Sequence, residues 1–446
     1  LPDGGKRRKD DAAVTQSTQA VGRQGDAAMD DAGENIRRAA REQAYSMPRD
    51  EIQPLDAELF RTDTWGPYFE RLRAEEPVHH QVHEELGPYW SVTKFNDIME
   101  VDTNHQVFSS EPAITAFDPE EDFTLPMFIA MDPPKHDEQR KTVSPIVSPH
   151  NLSYLEPIIR ERAATILDSV PVGEEFDWVD KVSIELTTMT LATLFDFPWE
   201  DRRKLTRWSD VATAAPVPGG IIETDEQRKA ELFECVDYFL RLWNERVNAP
   251  PKNDLISMLA HGESTRNMDR MEYLGNLILL IVGGNDTTRN TISGSILALN
   301  QNPDQYQKLK NDPGLIPNMV SETIRWQTPL AYMRRTAKED YKLRDKTIRA
   351  GDKVLMWYVS GNRDEEVIEN PNGYDIERER PRHHLSFGFG IHRCVGNRLA
   401  ELQLKIIWEE IFKRFPDIRV TGEPRRVFSS FVKGYEYLPV VIPTRT

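Results

Sequence analysis

The stretch FGFGIHRCVGNRLAELQLKII, residues 387–407, sets one of only two cysteines in a 446-residue chain between a glycine-bearing loop and a helix-forming run. Gly388 and Gly390 permit backbone conformations closed to other residues and a close approach to a neighbour. After Cys394, the apolar residues Val395, Leu399, Leu402 and Ile406 fall on one helical stripe, which Ala400, Leu404 and Ile407 widen. A helix apolar over so much of its girth packs deep in a core. The thiol therefore sits where a loop meets the N-terminus of an internal helix. Unpaired N–H groups and the helix dipole favour a thiolate there, and Arg393 adds positive charge.

The rest of the chain bounds what this loop can serve. Its length leaves one, two or three domains open. A formal net charge of −17 argues against a general nucleic-acid binder. No run approaches the roughly 18 apolar residues that span a bilayer. The longest strongly apolar run, LILLIV at 277–282, stops at Gly283-Gly284 and reads as buried helix. The opening LPDGGKRRKDD has no apolar segment like that of a secretory signal. Two cysteines, Cys235 and Cys394, make neither a disulfide framework nor a four-thiolate metal site. The expectation is a cytoplasmic protein without a transmembrane segment.

Residues 1–47 are rich in Asp, Arg, Gln, Ala and Gly and bury too little apolar surface to offset ordering, so they are expected to form a disordered or weakly ordered tail with a transient helix near DDAGENIRRAAREQA. Residues 48–446 are expected to form one large domain. GPYWSVTKFNDIMEV (87–101) predicts a short strand leading into a helix, and 151–250 predicts helices broken by the loop APVPGG at 215–220. YKLRDKTIRAGDKVLMWYVS (341–360) predicts a β-hairpin region, and VFSSFVKGYEYLPVVIP (427–443) a second small sheet. The fold class is mainly α with small β-sheets.

Three readings of Cys394 compete on local grounds: an inert buried thiol, a nucleophile served by a nearby histidine, and a thiolate ligand to haem iron. Context separates them. FGFGIHRCVG resembles, at Phe387, Gly390, His392, Cys394 and Gly396, the cysteine-ligand loop of the cytochrome P450 family. The resemblance runs over residues 48–446 with its motifs in family order. It implies the P450 fold, with haem b between a long central helix and the helix after the cysteine. Cys394 becomes the iron ligand, with Phe387, Gly388, Gly396 and Ala400 close to the ring.

Further segments match. LLIVGGNDTTRN (279–290) reads locally either as a helix that stops at Gly283-Gly284 and restarts, or as one long buried helix with a weakened middle. Small Gly283 leaves room beside a flat cofactor, and the Thr287 hydroxyl can bond back to the Gly283 carbonyl. The resemblance makes Asp286 and Thr287 a proton relay and an oxygen-holding pair. Glu322 and Arg325 lie one turn apart, and with Arg378 they match a buried structural network. His136 and Arg140 in MDPPKHDEQRKTVSP share a helical face, and the resemblance places them, with Arg335 and His392, at the haem propionates. Arg334 competes with Arg335.

The activity implied is O2 activation with two electrons and two protons and hydroxylation of an unactivated C–H bond. No complete dinucleotide fingerprint or cluster-binding cysteine set is present. Electrons are therefore expected from NAD(P)H through a ferredoxin and its reductase, with Arg393, Arg398 and Lys405 around the docking point. Leu279, Val282, Gly283, Ala331, Met333, Phe431 and Val432 are placed by resemblance around a hydrophobic substrate. GGNDTTRN and ETIRWQTPLAYMRRTA look most similar to alkane and fatty-acid terminal (omega) hydroxylases. Terpene or aromatic hydroxylation is the alternative. A non-turnover haem-thiolate sensor is more distant, because Asp286-Thr287 would serve it no purpose. A metal-free cysteine hydrolase is the remaining class.

Overall fold

The computed structural model describes residues 35–446. Its helices are α1 (35–46), α2 (Ala57–Arg61), α3 (Gly66–Glu75), α4 (Phe95–Thr103), α5 (Lys135–Val143), α6 (Pro149–Ser169), α7 (Glu185–Phe195) and α8 (Arg203–Thr213). They continue with α9 (Asp225–Val247), α10 (Leu255–His261), α11 (Arg270–Gln301), α12 (Pro303–Asn311), α13 (Ile316–Gln327), α14 (Tyr358–Gly361) and α15 (Asn397–Arg414). The strands are β1 (Val78–His83), β2 (Gly87–Val92), β3 (Phe108–Ser109), β4 (Glu175–Asp177), β5 (Met333–Ala337) and β6 (Tyr341–Leu343). After them come β7 (Lys346–Ile348), β8 (Lys353–Met356), β9 (Arg419–Val420), β10 (Arg425–Arg426), β11 (Tyr435–Tyr437) and β12 (Pro439–Val441). The fold is mainly helical with small sheets, as the sequence predicts.

α11 runs unbroken for 32 residues, which decides between the two readings of its glycines. Asp269 caps it, its side chain accepting the N–H groups of Met271 and Glu272. Apolar residues then continue round the helix, so it threads the main core beside Trp178, Trp208, Phe239 and Trp408. A five-stranded sheet, in the order β1-β2-β8-β5-β3, carries a second, smaller core that includes Val78, Trp90, Val92 and Val354.

The hairpin expected at 341–360 is only β6–β7. β8 leaves it to pair in parallel with β2 and antiparallel with β5. This choice buries Val354, Leu355 and Met356, which a lone hairpin would expose. The region 427–443 likewise divides: β11 pairs with β10, and β12 with β4 and β9.

Residues 1–34 of the segment expected as a tail lie outside the described residues; 35–46 form a helix in the region where one is expected, and it is packed on the domain. Although α1 buries little beyond Ala40 and Ala44, it is docked on α3. Arg41 makes a bidentate pair with Glu70 at 2.7 and 2.9 Å, and Arg71 donates to the carbonyls of Ala44 and Met47. Polar tethers of this kind leave no hydrophobic pattern to read. No helix among the described residues is long and apolar enough to cross a membrane.

Candidate active site

The cysteine loop is shaped by two left-handed glycines, Gly388 at φ +63° and Gly390 at φ +65°. A Cβ on Gly390 would stand 2.7 Å from the carbonyl oxygen of Asp102, so the loop presses its backbone onto the end of α4. The Cys394 N–H donates to the Phe387 carbonyl at 2.8 Å, closing the loop just before α15 begins at Asn397. The Cys394 side chain is accessible although protein atoms crowd around it. Burial pushes the thiol pKa up. The N–H groups of Gly396 and Asn397 and the charges of Arg140 and Arg393 pull it down without prevailing. The helix terminus and Arg393 therefore act in the direction the sequence predicts, and burial opposes them with the larger effect.

In the middle of α11, Gly283 is exposed while Ile281 and Asn285 are buried. A Cβ added there would meet nothing within 4 Å. The Thr287 hydroxyl donates to the Gly283 carbonyl at 2.9 Å, the bond expected from the sequence. Leu279 and Val282 flank this point, both partly buried. Asp286 is fully buried and turned toward α8. Its carboxylate accepts from Ser209 Oγ at 2.8 Å and Thr213 Oγ1 at 3.2 Å, and Arg289 lies 3.1 Å away. Arg289 also pairs with Asp210 of α8 at 2.6 Å.

A set of cations and imidazoles converges beside the loop. The His136 and His392 rings lie 4.1 Å apart. Nε2 of His136 and both ring nitrogens of His392 are buried without a hydrogen-bond partner. Burial, then the charges of Arg335, His136 and Arg140, push the His392 pKa down to about 2. Arg140 donates to the Arg393 carbonyl. Arg334 and Arg335 leave β5 in different directions. Arg334 reaches the Ala116 carbonyl and Asp118, whereas Arg335 pairs with Asp102 at 2.7 Å and is the charge that presses on His392. Of the two, Arg335 is the one on the His392 side.

These features fit haem. Orphaned buried ring nitrogens beside two arginines suit a pair of carboxylates. Gly283 and Gly396 leave open space where a Cβ would otherwise stand, which suits the approach of a flat ring. A single accessible thiol suits a metal that brings its own equatorial ligands. Ala400 is partly buried on the first turn of α15, and Phe387 packs against His384 at 5.5 Å.

Of the expected substrate-lining residues, Met333 and Phe431 are partly buried, Phe431 stacking edge-on with Tyr332. Ala331 and Val432 are buried, at 0% and 2% exposed, and the backbone of this segment is tied to that around Phe431 by the Ala331 N–H bond to the Phe431 carbonyl and the Leu330–Val432 bridge.

The network forms as expected. Arg325 makes two bonds to Glu322 at 2.7 and 2.6 Å, and Arg378 makes two at 3.1 and 3.2 Å.

Comparison with known proteins decides the family. A family model for cytochrome P450 matches residues 314–426. Linalool 8-monooxygenase of Pseudomonas putida is 35% identical over 386 residues, spanning 84% of this chain and 94% of that protein. The chain belongs to the cytochrome P450 family. A methyl-branched lipid omega-hydroxylase of Mycobacterium bovis is 31% identical over 88% of this P450 and 96% of its own length. The solved cytochrome P450-153 from Novosphingobium aromaticivorans superposes with a TM-score of 0.81 at 48% identity, covering 87% and 98% of the two chains. The protein is a P450 monooxygenase of a family that uses haem, O2 and external electron donors.

Sequence reading assigned no role in this P450 to Arg289, Asp210, Ser209, Thr213 or Asp102. Arg289 stands three residues after Asp286, a helical spacing that was open to inspection. The α8 residues carry no such mark, since they lie more than 70 positions from Asp286 in the chain.

Proposed function

We propose that this P450 hydroxylates the terminal methyl group of medium-chain n-alkanes or fatty acids. The observation that carries the reading is the face of α11 around Gly283. Asp286 and Arg289 both turn to α8, so the accessible strip is apolar Leu279, Val282 and Gly283 with one hydroxyl, Thr287. Such a strip suits a hydrocarbon chain and offers no charge to a polar substrate. A relative named as an omega-hydroxylase supports it. Terpene hydroxylation is the second reading, favoured by the 35% identity to linalool 8-monooxygenase.

In this reading Cys394 ligates iron, while Arg140, Arg335, His136 and His392 hold the propionates of haem b. Phe387, Gly388, Gly396 and Ala400 border the ring. When bound, the haem supplies oxygen activation, with the thiolate's electron density assisting O–O cleavage. The protein's part is placement and protons. The Thr287 hydrogen points to the Gly283 carbonyl, leaving the hydroxyl oxygen free to accept a bond from the open space beside Gly283. Turning that hydroxyl would instead present its hydrogen as a donor to the same side, and a proton passed on from there would have to be replaced on the same oxygen. Asp286, held by Ser209, Thr213 and Arg289, is the inner end of the relay. Ferredoxin delivers the electrons of NAD(P)H in the cytoplasm near exposed Arg393 and Arg398; Lys405 is partnered by Glu409 at 3.7 Å and contributes less charge.

With ferredoxin and reductase present, turnover of n-alkanes, fatty acids and linalool decides the substrate. Terminal alcohols from the linear series, at higher kcat/KM than for linalool, are expected. Preference for linalool, or oxidation spread along the alkane chain, overturns the reading in favour of the second. Thr287→Ala is expected to cut product formed per NAD(P)H by on the order of tenfold, with peroxide rising to match, because a positioned proton donor is lost. Unchanged coupling removes Thr287 from the relay.

A further inference from the structure

Asp102, the penultimate residue of α4, lies outside every motif and is 2% exposed. Its carboxylate is filled by three donors from three distant segments. Oδ1 accepts from Arg335 Nη2 of β5 at 2.7 Å. Oδ2 accepts from the Tyr358 hydroxyl of α14 at 2.9 Å and from the Phe389 N–H of the cysteine loop at 2.8 Å. Both left-handed glycines of that loop also lie against this residue. A Cβ on Gly388 would stand 3.3 Å from Asp102 Oδ2, and one on Gly390 would stand 2.7 Å from the Asp102 carbonyl oxygen.

We propose that Asp102 is the positioning residue that sets the cysteine loop and the propionate-side arginine relative to one another. The loop carrying Cys394 and the strand carrying Arg335 share no pairing of their own; one buried carboxylate fixes both. Asp102 acts through Phe389 and Arg335, away from the reacting atoms. Its charge also balances that of Arg335, for which it is the one carboxylate partner among the described residues. The role rests on the haem-thiolate reading, and it deepens it.

The geometry makes Asp102→Asn informative. Neither Arg335 nor the Phe389 N–H can accept a hydrogen bond, whereas the Tyr358 hydroxyl can turn and do so. An amide nitrogen in place of Oδ1 faces Arg335; in place of Oδ2 it faces the Phe389 N–H. Either orientation loses one of the two links, and Arg335 loses its counter-charge. Tyr358→Phe removes the third donor and leaves both links and the charge.

The test is haem transfer from each holoprotein to excess apomyoglobin, the ferric/ferrous midpoint potential and the reduced carbon monoxide spectrum. For Asp102→Asn, haem loss is expected to accelerate by roughly tenfold or more, the loss of a charge-assisted hydrogen bond. The midpoint is expected to rise, since a negative charge near the ring is gone, and part of the thiolate-type band converts to the thiol type. Tyr358→Phe is expected to change haem loss by less than about threefold, the worth of one neutral hydrogen bond at the low end. Wild-type haem retention, potential and spectrum in a folded Asp102→Asn protein overturn the proposal.

Should that variant not fold, hydrogen exchange in the wild-type holoprotein gives the answer. The Phe389 amide is expected to be strongly protected, because its partner is the buried Asp102 carboxylate. Exchange at the rate of a free loop overturns the proposal. Failure of the haem-thiolate reading itself is a separate outcome, seen as a wild-type protein that never gives the thiolate-type spectrum.

Discussion

Cys394→Ala is expected to yield a folded protein that has lost the thiolate-type carbon monoxide spectrum and all substrate hydroxylation. The loop does not depend on the sulfur for its shape. Its closure is a backbone bond, Cys394 N–H to the Phe387 carbonyl, and its turns belong to Gly388 and Gly390. Alanine keeps all three. Removing a thiol that burial disfavours as an anion leaves apoprotein stability within about 1 kcal/mol of wild type. The other cysteine cannot substitute. Cys235 is 0% exposed in the core side of α9, where burial raises its thiol pKa well above normal. Cys235→Ala therefore serves as the control and retains the spectrum. Loss of the thiolate-type spectrum in that control, or its survival in Cys394→Ala, shows that iron is ligated elsewhere. Thermal unfolding of the two apoproteins separates a lost ligand from a lost fold.

What the sequence could disclose divides by the range of the interaction. α11 was legible because its apolar residues recur over 274–299, and only its continuity through Gly283-Gly284 was undecided. The loop was legible because its constraints are local: a left-handed backbone at Gly390 and a thiol at a helix start. The turn in direction of β8 was not. Its partners β2 and β5 lie far away in sequence, and a run of alternating residues after a tight turn reads as one more strand of the same hairpin. Asp102 was invisible for a stronger reason. A single Asp near the end of a nine-residue helix resembles any solvated acid until Arg335, Tyr358 and Phe389 are brought to it. The burial that opposes the helix terminus at the Cys394 thiol was equally hidden, since desolvation depends on packing that no local pattern records. Ala331 and Val432 were placed by resemblance alone, and no local pattern records the bridge that joins their segments at Leu330 and Val432.

Glu322→Gln carries the second large effect, on stability rather than chemistry. Glu322 and Arg325 are both 0% exposed, and Arg378 closes the trio from the segment before the cysteine loop. Burial alone would raise the Glu322 pKa. Bonds and charge from Arg325 and Arg378 more than reverse this and hold it below its ordinary value. A depressed folded-state pKa contributes stability that is complete above the ordinary carboxylate range and is lost as pH falls through the depressed value. Wild-type unfolding free energy is therefore expected to decline on acidification, and Glu322→Gln to remove this part of the slope. At neutral pH the substitution leaves two guanidiniums without their carboxylate in the interior, costing about 3–5 kcal/mol. An exposed pair such as Glu58–Arg61 sets the contrast, since Glu58→Gln is expected to leave stability nearly unchanged. The loss does not stay local. Arg325 also donates to the Asn362 carbonyl at 2.9 Å, and the Asn362 side chain bonds the Leu385 N–H at 2.7 Å and Ser386 Oγ at 2.9 Å. Those two residues lead directly into the loop at Phe387. Chemical unfolding of the apoprotein measures the first effect, and the fraction of thiol-type carbon monoxide spectrum in the holoprotein measures the second. Equal stability for Glu322→Gln and Glu58→Gln means that the buried trio is no stronger than a surface pair, and a pure thiolate-type spectrum in a destabilised Glu322→Gln breaks the link from Asn362 to the loop.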